Sequence, residues 1–457
     1  MALLKRVLIA NRGEIAVRVI DACKALGIET VLAVSHADRE TLGAQRADRV
    51  VCIGPAPAAA SYLNPALICQ AALSTGCDGL HPGYGFLSER YELAKLCEDN
   101  NVKFIGPGAE AIRRVGDKLE ARAAAEAAGV PIVPGSNLVH TAKEAESIAK
   151  GIGYPVMLKA AAGGGGRGVF VAHDASDIEA SFERASREAL AAFGDGSLYM
   201  ERFIGNARHI EVQVFGDDFG SALHLGERDC SIQRRYQKVV EEGPGYVLPE
   251  AVRTRLHASA LNLVRYLGYI NAGTVEYLYD ADREDFFFIE MNARVQVEHP
   301  VTELITGVDI VQEQLRIASG MPISLRQSDV RISGHAIECR INAEQPREGF
   351  MPRPGRITRW SPPQGAGVRL DTHCYTGYLV PPYYDSMIAK LLVHAPDRAS
   401  AVEAMRVALD DFEIEGIETN IDFHRFVMRH ADYAAGKVNT RWLESTLLPA
   451  YQKHSSQ

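Results

Sequence analysis

The sequence predicts an α/β (α+β) protein in which a parallel α/β domain comes first and mainly antiparallel sheet comes last. Near the N-terminus, strand-like apolar runs alternate with a helical pattern in "VLIA", "NRGEIAVRVIDACKALG" and "ETVLAV", which is typical of a βαβ unit. Beyond about residue 204, polar and apolar residues alternate in "HIEVQVFGD", "GTVEYLYD" and "FFFIEMNARVQVEH", as in antiparallel sheets. A chain of 457 residues, 47% hydrophobic, can form roughly two to four domains.

A second unit of the same kind follows in "PALICQAALSTGCDGLHPG". Residues 1–115 are therefore expected to form a Rossmann-like parallel domain, although its first loop lacks a dinucleotide fingerprint. The alanine-rich segment "GDKLEARAAAEAAG" predicts a helix, and the prolines of "VPIVPGS" indicate a boundary near residue 131.

The stretch "VMLKAAAGGGGRGVFV", residues 156–171, is rich in glycine and flanked by two strand-like segments. Gly163, Gly165 and Gly168 satisfy the dinucleotide-binding spacing, but that fingerprint requires a helix after the glycines, and "GVFVA" is strand-like. No Gly-Lys-Ser/Thr closes a P-loop, and flexible linkers are rarely flanked by β-type segments. The pattern favours a glycine-rich hairpin that can close over a ligand.

Composition limits the possible functions. The net charge of -9 argues against general nucleic-acid binding, because phosphate backbones are held by excess Lys and Arg. The eight cysteines form no CxxC pair and no zinc-like spacing, which favours reduced thiols. The N-terminus is too weakly apolar for a signal peptide, and no later run approaches a membrane span. We expect a cytoplasmic protein that binds neither nucleic acid nor membranes.

The strand-like segment "IEMNARVQVEH" is predicted to carry one polar face, because alternate side chains of a strand point the same way. Its opposite face would hold Ile289, Met291, Val295 and Val297. A solvated sheet surface is the alternative interpretation. However, the row mixes carboxylates, amides and an arginine, and the neighbouring strand adds Glu276. Carboxylate and amide oxygens suit Mg²⁺, so Glu276, Glu290 and Asn292 are the candidate metal ligands. The polar row consists of Glu290, Asn292, Arg294, Gln296 and Glu298.

Three cations are candidates for contacts to nucleotide phosphates: Lys118, Lys159 and Arg167. An isolated lysine is usually a solvated surface charge. Lys159 differs because it ends an apolar strand, where an unpaired ammonium is costly to bury. The segment "GERDCSIQRRYQKVVEEGPG" is too charged for a core, and a surface hairpin remains an alternative for it.

Taken together, the motifs resemble the ATP-grasp biotin carboxylases, the biotin-carboxylating component of acetyl-CoA carboxylase and related enzymes. The resemblance extends over essentially the full length, through "IANRGEIAVR", "HPGYGFLSE", "FIGP", "GDK", "GGGGRG", "RHIEVQV", "ERDCSIQRR", "EMNARVQVEHPVTE", "ECRINAE" and "PPYYDSMIAKL". It implies an ATP-grasp fold in which the glycine hairpin is a lid over the ATP phosphates. The implied division is 1–115 for the N-terminal domain, 116–330 for the ATP-grasp domain with its lid at about 131–203, and 331–446 for the C-terminal domain.

The resemblance implies ATP-dependent carboxylation of biotin, with bicarbonate activated as carboxyphosphate. Glu298 matches the general base, Arg340 the residue that stabilises the biotin enolate, and Tyr84 a segment that lines the biotin site. Residues that match the bicarbonate pocket are Lys238, Arg294, Gln296 and the backbone of Val297. Residues that match nucleotide contacts are Lys118, Lys159, Gly165, Gly166, Glu201, His209, Gln233, Tyr236 and Leu278. Glu276 and Glu290 match Mg²⁺ (or Mn²⁺) ligands, assisted by Asn292.

The resemblance also implies partners. None of the nine methionines precedes a lysine, so the biotin-acceptor signature is absent from this sequence. We expect biotin on a separate carboxyl carrier protein, a carboxyltransferase subunit in trans, and a homodimer. Acetyl-CoA is the expected final acceptor, with another acyl-CoA, pyruvate or urea as alternatives. Three departures from the common pattern point to a branch away from the housekeeping enzyme: Tyr236 in place of His, Ala293 in place of Thr, and "EEGPG" in place of "EEAPA".

Two other functions compete with this interpretation. Another bicarbonate-activating ATP-grasp ligase, such as a carbamoyl-phosphate or purine-pathway enzyme, is disfavoured by "HPGYGFLSE" and "ECRINAE". A nucleotide-binding regulator without turnover is disfavoured by the complete polar row, because a binder needs no general base.

Overall fold

The computed structural model describes residues 2–136, 138–160, 169–193 and 195–454. The chain divides into two compact units. The first comprises Met1–Val130, Arg208–Leu278 and Ile289–Gln457, and the second comprises Pro131–Ala207 and Tyr279–Phe288. The division into residues 1–115, 116–330 and 331–446 stays a prediction.

The N-terminal segment of the first unit forms a five-stranded parallel sheet in the order β3-β2-β1-β4-β5. Its three central strands, β2, β1 and β4, are mostly buried, and helices follow β1, β2, β3 and β4, which confirms the predicted parallel α/β domain. Asn64 caps α3 through its side chain, and Asp117 caps α6. The elements are β1 Arg6–Ile9, α1 Gly13–Ala25, β2 Glu29–Val34, α2 Leu42–Arg46, β3 Arg49–Cys52, α3 Pro65–Ser74, β4 Gly79–His81, α4 Tyr91–Asp99, β5 Lys103–Phe104, α5 Ala109–Gly116 and α6 Lys118–Ala127.

The second unit contains a three-stranded antiparallel sheet in the order β7-β6-β8. Two helices pack on it through a core that includes Val156, Leu158 and Met200. Strands β6 and β7 pair in the antiparallel register expected on either side of the glycine hairpin. Gly165, Gly166 and Arg167 lie outside the described residues. The elements are α7 Ala142–Ile152, β6 Val156–Ala160, β7 Val169–Ala172, α8 Ile178–Phe193 and β8 Leu198–Arg202.

The largest sheet has eight strands in the order β13-β12-β9-β10-β11-β14-β21-β19. The neighbours from β9 to β19 are antiparallel, which confirms the predicted antiparallel sheet. Its strands are β9 Ala207–Gly216, β10 Ala222–Arg234, β11 Gln237–Gly243, β12 Asn271–Asp280, β13 Asp285–Asn292, β14 His335–Asn342, β19 Val368–Thr372 and β21 Met387–Ala395.

Helices and short strands complete the first unit around this sheet. The long helix α9 ends at Leu267 and is followed by Gly268, whose φ of 57° is the left-handed conformation that glycine adopts most readily. These elements are α9 Glu250–Leu267, α10 His299–Thr306, α11 Ile310–Ala318, β15 Glu344–Gln345, β16 Met351–Pro352, β17 Gly355–Arg356, β18 Arg359–Ser361, β20 Leu379–Val380, α12 Arg398–Asp411, β22 Glu413–Glu415, α13 Ile421–Arg429, α14 Ala431–Ala434 and α15 Leu448–His454, the last preceded by a π-helical turn, Leu443–Leu447.

Strand β14 has two buried faces of opposite character. One face, with Ile337, Cys339 and Ile341, belongs to the largest apolar core. The other carries Glu338 and Arg340. Across the neighbouring strands, Glu241 lies opposite Glu338, Lys390 lies opposite Arg340, and Asp371 lies opposite Lys390. We call this second surface, defined by Glu241, Glu338, Arg340, Lys390 and Asp371, the charged face. Burial of so many charges requires mutual pairing.

The segment between β13 and α10 corrects one prediction. The expected strand over "IEMNARVQVEH" is wrong beyond Asn292, where β13 ends, and residues 293–298 are irregular. Helix α10 begins at His299, with Glu298 at its N-cap and Pro300 in its first turn, where proline is well tolerated. The expected core position Ile289 is 40% exposed. The sequence of residues 293–298 still alternates between polar and apolar residues although the segment is a loop. Its polar side chains, those of Arg294, Gln296 and Glu298, all contact one group of charged and amide side chains.

Other predictions can be compared directly with the structure. The segment "GERDCSIQRRYQKVVEEGPG" is a hairpin, but its strands β10 and β11 are central in the sheet and mostly buried, so the surface alternative is wrong. Arg235 and Tyr236 form its two-residue turn with φ of 48° and 66°. All eight cysteines are free. Among the described residues, no helix combines the length and apolarity needed to cross a membrane.

Gly216, the last residue of β9, lies against the chain after α9. A β-carbon added there would lie 1.9 Å from the carbonyl oxygen of Tyr269. We expect Gly216→Ala to destabilise the fold by about 2 kcal/mol or more, because backbone must move to relieve the overlap. The measurement is the midpoint of thermal unfolding.

The matched control is Gly151→Ala in α7, where an added β-carbon meets nothing within 4 Å. This change should be neutral or stabilising by up to about 1 kcal/mol, because alanine has the higher helix propensity. Equal effects of the two substitutions would contradict the close approach at Gly216.

Candidate active site

A lysine in contact with three carboxylates lies at the centre of the candidate site. The Nζ of Lys238, on β11, lies 2.5 Å from Glu211, 2.6 Å from Glu298 and 3.0 Å from Glu276. Glu211 and Glu298 are fully buried, and Glu276 is 5% exposed. Burial alone would lower the pKa of Lys238, but these carboxylates raise the pKa well above its usual value. Lys238 therefore stays charged.

Strand β9 presents one polar and one apolar face to its surroundings. His209, Glu211 and Gln213 alternate with the buried Ile210 and Val212. His209 Nε2 lies 2.8 Å from Glu276. The completely buried Arg228 donates to Glu211 at 2.5 Å and to Gln213 at 3.0 Å. Glu211 thus links two cations, and its position is held from both sides.

Arg294 is held on three sides although it follows the end of β13. Its Nε donates to Glu89 at 2.8 Å, while its two terminal nitrogens donate to Gln296 at 2.7 Å and to Asn292 at 2.9 Å. The amide nitrogens of Asn292 and Gln296 both donate to Glu276 Oε1 at 2.9 Å. The polar row predicted from the sequence therefore converges on one cluster, even though only its first two members lie in a strand.

The carboxylates of Glu276, on β12, and Glu290, near the end of β13, fit a divalent cation. No described residue donates a hydrogen bond to the side chain of Glu290, whose carboxylate lies close enough to Glu276 for the two charges to repel. Glu290 is an exposed residue, but partial desolvation of its carboxylate and the charges of Glu276 and Glu89 raise its pKa. An unpaired carboxylate beside a second one is the donor set that a hard cation satisfies. Burial would raise the pKa of Glu276, but Lys238 and His209 lower it well below its usual range.

A second cation, Arg340 on the charged face, also contacts Glu298. Arg340 donates from Nε to Glu241 at 2.6 Å and from Nη2 to Glu298 at 3.0 Å. Burial would raise the pKa of Glu298, but Lys238 and Arg340 lower it well below its usual range. Glu298 is therefore an ionised carboxylate at neutral pH, fixed between two cations.

Arg340 and Lys238 both line a cavity of about 380 Å³. Its wall also includes Tyr84, whose hydroxyl donates to the buried Glu14, and the exposed Tyr383. A cavity of this size suits a small organic molecule. It opens beside the carboxylate and cation cluster, so a molecule bound there would lie next to Glu298.

The backbone of Val297 is fixed from the charged face. The fully buried Lys390 donates to the carbonyl oxygen of Val297 at 2.8 Å and pairs with Glu14 at 3.1 Å. His299 Nδ1 lies 2.7 Å from the carbonyl oxygen of Gln296. These contacts position the peptide groups on either side of Val297 without a regular secondary structure.

Most of the residues predicted from the sequence lie in the first unit. Gln233 is buried on β10, Leu278 is half-buried on β12, Lys118 is exposed at the start of α6, and Tyr236 is 79% exposed at its hairpin turn. Lys159 and Glu201 lie in the second unit and form an ion pair of 2.5 Å, as expected of a lysine that ends an apolar strand. The roles assigned to these residues stay predictions.

Sequence reasoning missed four residues that hold the cluster together: Glu89, Glu211, Glu241 and Lys390. Glu211 carried a usable signal, because a carboxylate within the apolar strand "HIEVQV" requires a buried partner. Lys390 carried the same signal in "MIAKLLV". Glu89 lies far from Arg294 along the chain, so no local pattern connects the two.

Family models match three consecutive parts of the chain. The model described as "Biotin carboxylase, N-terminal domain" matches residues 3–112, "Carbamoyl-phosphate synthase L chain, ATP binding domain" matches residues 117–326, and "Biotin carboxylase C-terminal domain" matches residues 338–445. The chain is 50% identical over 444 residues to "Biotin carboxylase 1" of Bacillus subtilis, which covers 97% of this chain and 99% of that protein.

Solved structures agree with these matches. The biotin carboxylase of Campylobacter jejuni in a β,γ-ATP complex is 48% identical, with a TM-score of 0.87 over 96% of this chain and 98% of that one. The biotin carboxylase domain of a thermophilic 2-oxoglutarate carboxylase bound to bicarbonate is 45% identical, with a TM-score of 0.93 over 98% of this chain and 99% of that one. The fold that surrounds the Lys238 cluster is therefore the ATP-grasp fold, and the chain belongs to the biotin carboxylases, which are ATP-dependent ligases.

Proposed function

We propose that the protein carboxylates biotin on a separate biotin carboxyl carrier protein, with ATP and bicarbonate as substrates and carboxyphosphate as intermediate. The observation that carries the proposal is the arrangement around Glu298. A buried carboxylate is held ionised between Lys238 and Arg340, and both cations line a cavity that a small molecule can enter. This arrangement supplies a base and cations for an anionic substrate at one point.

Bicarbonate is proposed to bind to Arg294, Gln296, the backbone N–H of Val297 and Lys238. Arg294 is suited to an oxyanion because Glu89 and Asn292 fix the plane of its guanidinium group. Glu298 would accept the proton of bicarbonate while a bicarbonate oxygen attacks the γ-phosphorus of ATP. The products of this step are ADP and carboxyphosphate. Fixed orientation of the nucleophile is the main contribution that the protein makes to such a transfer.

The low pKa of Glu298 has a consequence for its role as a base. A carboxylate stabilised by two cations is ionised but weakly basic. Bicarbonate that enters beside Lys238 would share this cation with the three carboxylates. Each hydrogen bond that Lys238 donates to the substrate weakens its hold on Glu298, so substrate binding itself raises the basicity of Glu298.

ATP and a divalent cation are proposed to bind next to this pocket. Glu276, Glu290 and Asn292 would hold Mg²⁺ or Mn²⁺, which when bound neutralises phosphate charge. His209, Gln233, Leu278, Lys118 and Tyr236 are proposed nucleotide contacts in the first unit. Lys159 and Glu201 are the proposed contacts in the second unit. The ATP-binding description of the family model over residues 117–326 supports this assignment.

The biotin ring is proposed to occupy the cavity beside Arg340 and Tyr84. Arg340 would stabilise the enolate of biotin, because its guanidinium reaches both the cavity and Glu298. The same proposal places this biotin on a carrier protein in trans. We further propose a homodimer that acts with a carboxyltransferase subunit in trans.

Acetyl-CoA is the proposed final acceptor of the carboxyl group. The match over nearly the full length of the Bacillus subtilis biotin carboxylase supports a biotin carboxylase subunit that acts with separate partner subunits. The second candidate acceptor is 2-oxoglutarate. The biotin carboxylase domain of a 2-oxoglutarate carboxylase matches this chain over a similar extent. The carboxylation of biotin itself does not depend on this choice.

The test of the function is ADP release from Mg·ATP in the presence of bicarbonate, with and without free biotin. We expect release that depends on bicarbonate and is stimulated by biotin. The experiment is repeated with a biotinylated carrier protein from a related enzyme. ADP release that neither free biotin nor this carrier stimulates would contradict the proposal.

Glu298→Gln should lower turnover by about 10²- to 10⁴-fold while ATP still binds, because the amide cannot accept a proton. Turnover is measured as biotin-stimulated ADP release, and ATP binding by calorimetry. The matched control is Glu227→Gln, since Glu227 is also fully buried and held by two side chains, those of Arg253 and His257. The control should lose stability but retain turnover. Wild-type turnover of Glu298→Gln would reject its role as the base.

Arg294→Ala should weaken the apparent affinity for bicarbonate by about 1.5 to 3 kcal/mol, because it removes a charge-assisted contact to an anion. The measurement is ADP release as a function of bicarbonate concentration. Arg253→Ala is the control, since Arg253 is a similarly buried arginine whose partners Glu227 and Glu250 lie outside the site. An unchanged bicarbonate dependence of Arg294→Ala would exclude it from the pocket.

A further inference from the structure

Glu338, on the charged face, is a buried acid that the proposed reaction does not use. It is completely buried, and neither of its carboxylate oxygens has a hydrogen-bond partner among the described residues. None of the ion pairs of the described residues includes Glu338. A carboxylate in such a position would be unstable, so the side chain is expected to be neutral.

Glu241 lies directly opposite Glu338 on the neighbouring strand β11. Side chains of opposite residues in an antiparallel pair lie about 5 Å apart at their β-carbons, within reach of each other. One oxygen of Glu241 accepts from Arg340 Nε at 2.6 Å, and the other is buried without a partner. The two acids, opposite each other in the register, thus have three buried carboxylate oxygens that accept no hydrogen bond from the described residues.

The cations near this pair are already engaged. From β11, Lys238 is shared by Glu211, Glu276 and Glu298. From β14, Arg340 contacts Glu241 and, at the start of α10, Glu298.

From β21, Lys390 pairs with Glu14 of α1 and Asp371 of β19, and donates to Val297. Cys339 follows Glu338 in the chain, but its side chain belongs to the apolar core on the opposite face of β14, where burial raises the pKa of the thiol well above its usual value. Among the described residues, none of these cations forms an ion pair with Glu338.

We propose that Glu338 and Glu241 share one proton and together position Arg340 for biotin. The Glu338 O–H donates to the second oxygen of Glu241, whose first oxygen holds Arg340. Glu241 then has a fixed partner on each side, and the Arg340 side chain has a fixed direction toward the cavity. The inference rests on the proposed function only in its assignment of Arg340 to biotin.

The electrostatics of the pair agree with this arrangement. Burial raises the pKa of Glu338 well above its usual value, and Glu241 raises it further, although Lys390 opposes the shift. Burial likewise raises the pKa of Glu241, to about 7, with Arg340 lowering it and Glu298 raising it. Two interacting acids take up their protons in separate steps. The first proton stays on the pair over a wide pH range, and the second binds as the pH falls through about 7, when Glu241 becomes neutral and Arg340 loses its ionic anchor.

The experiment compares two substitutions of nearly equal size, Glu338→Gln and Glu338→Met. We measure kcat/KM for free biotin between pH 6 and 9 (a range of about one to two units on each side of neutrality) with ATP and bicarbonate saturating. Glu338→Met should move the acid limb to higher pH, because Glu241 loses the donated bond that stabilises its charged form. Glu338→Gln donates an N–H instead and should keep the acid limb of the wild type.

Two further variants identify the titrating group. Glu241→Gln should abolish the acid limb and lower kcat/KM for biotin by about ten- to a hundredfold, with unchanged KM for ATP and bicarbonate. Glu242→Gln is the control, because Glu242 is the adjacent buried acid but pairs with His335 and Arg398 away from the charged face. It should retain the wild-type acid limb. Identical acid limbs in Glu338→Met and Glu338→Gln, or an unchanged limb in Glu241→Gln, would overturn the proposal.

Infrared spectroscopy of the wild-type protein tests the pair independently of activity and of the folding of any variant. A buried protonated carboxyl band should be present at pH 8, about one unit above the second titration step, and it should shift in D₂O. Absence of this band would overturn the shared proton. The same spectrum separates this inference from the proposed function: biotin-independent ADP release together with the band rejects the function alone.

Discussion

The contact of Lys238 with Glu211, Glu276 and Glu298 is the constraint on which the site depends. Three carboxylates within 3.0 Å of one ammonium are stable in a buried place only while that ammonium is present. The three acids come from β9, β12 and the residue before α10, so Lys238, on β11 of the same sheet, joins two strands of that sheet to the irregular segment that precedes the helix. Arg228 and Arg340 then neutralise the charge that remains.

The same cations serve the resting protein and the proposed reaction. Each cation that would bind an anionic substrate already binds a carboxylate: Lys238 binds Glu298, Arg294 binds Glu89, and Arg340 binds Glu241. Preorganisation of this kind removes the cost of orienting the cations when the substrate arrives. It also couples substrate binding to the basicity of Glu298, because a cation shared with a new anion stabilises the old one less.

Much of this arrangement was predictable from the sequence. The βαβ pattern predicted the parallel sheet, and alternation predicted the strands that hold Glu276, Glu290 and Asn292. Alternation failed after Asn292 because a loop whose polar groups all turn toward one cluster has the same pattern as a strand. Pro300, in the first turn of α10, was the available signal that a helix begins there.

The ion pairs between residues distant along the chain could not be predicted from local sequence patterns. The partners of Arg294, Arg340 and Lys390 come from elements that are distant along the chain, and only tertiary structure brings them together. A charged residue in an apolar strand indicates that a buried partner exists, but the sequence pattern does not identify that partner.

The two faces of β14 separate stability from chemistry. Ile337, Cys339 and Ile341 pack in the apolar core, whereas Glu338 and Arg340 face the site from the same eight-residue strand. Packing of the apolar face fixes the position of the β14 backbone, and the backbone in turn fixes the position of the Arg340 Cα atom. Charged side chains on the other face can then be oriented by a few hydrogen bonds, because the backbone beneath them cannot move. Burial of one face is thus the condition under which the other face can hold an uncompensated acid such as Glu338.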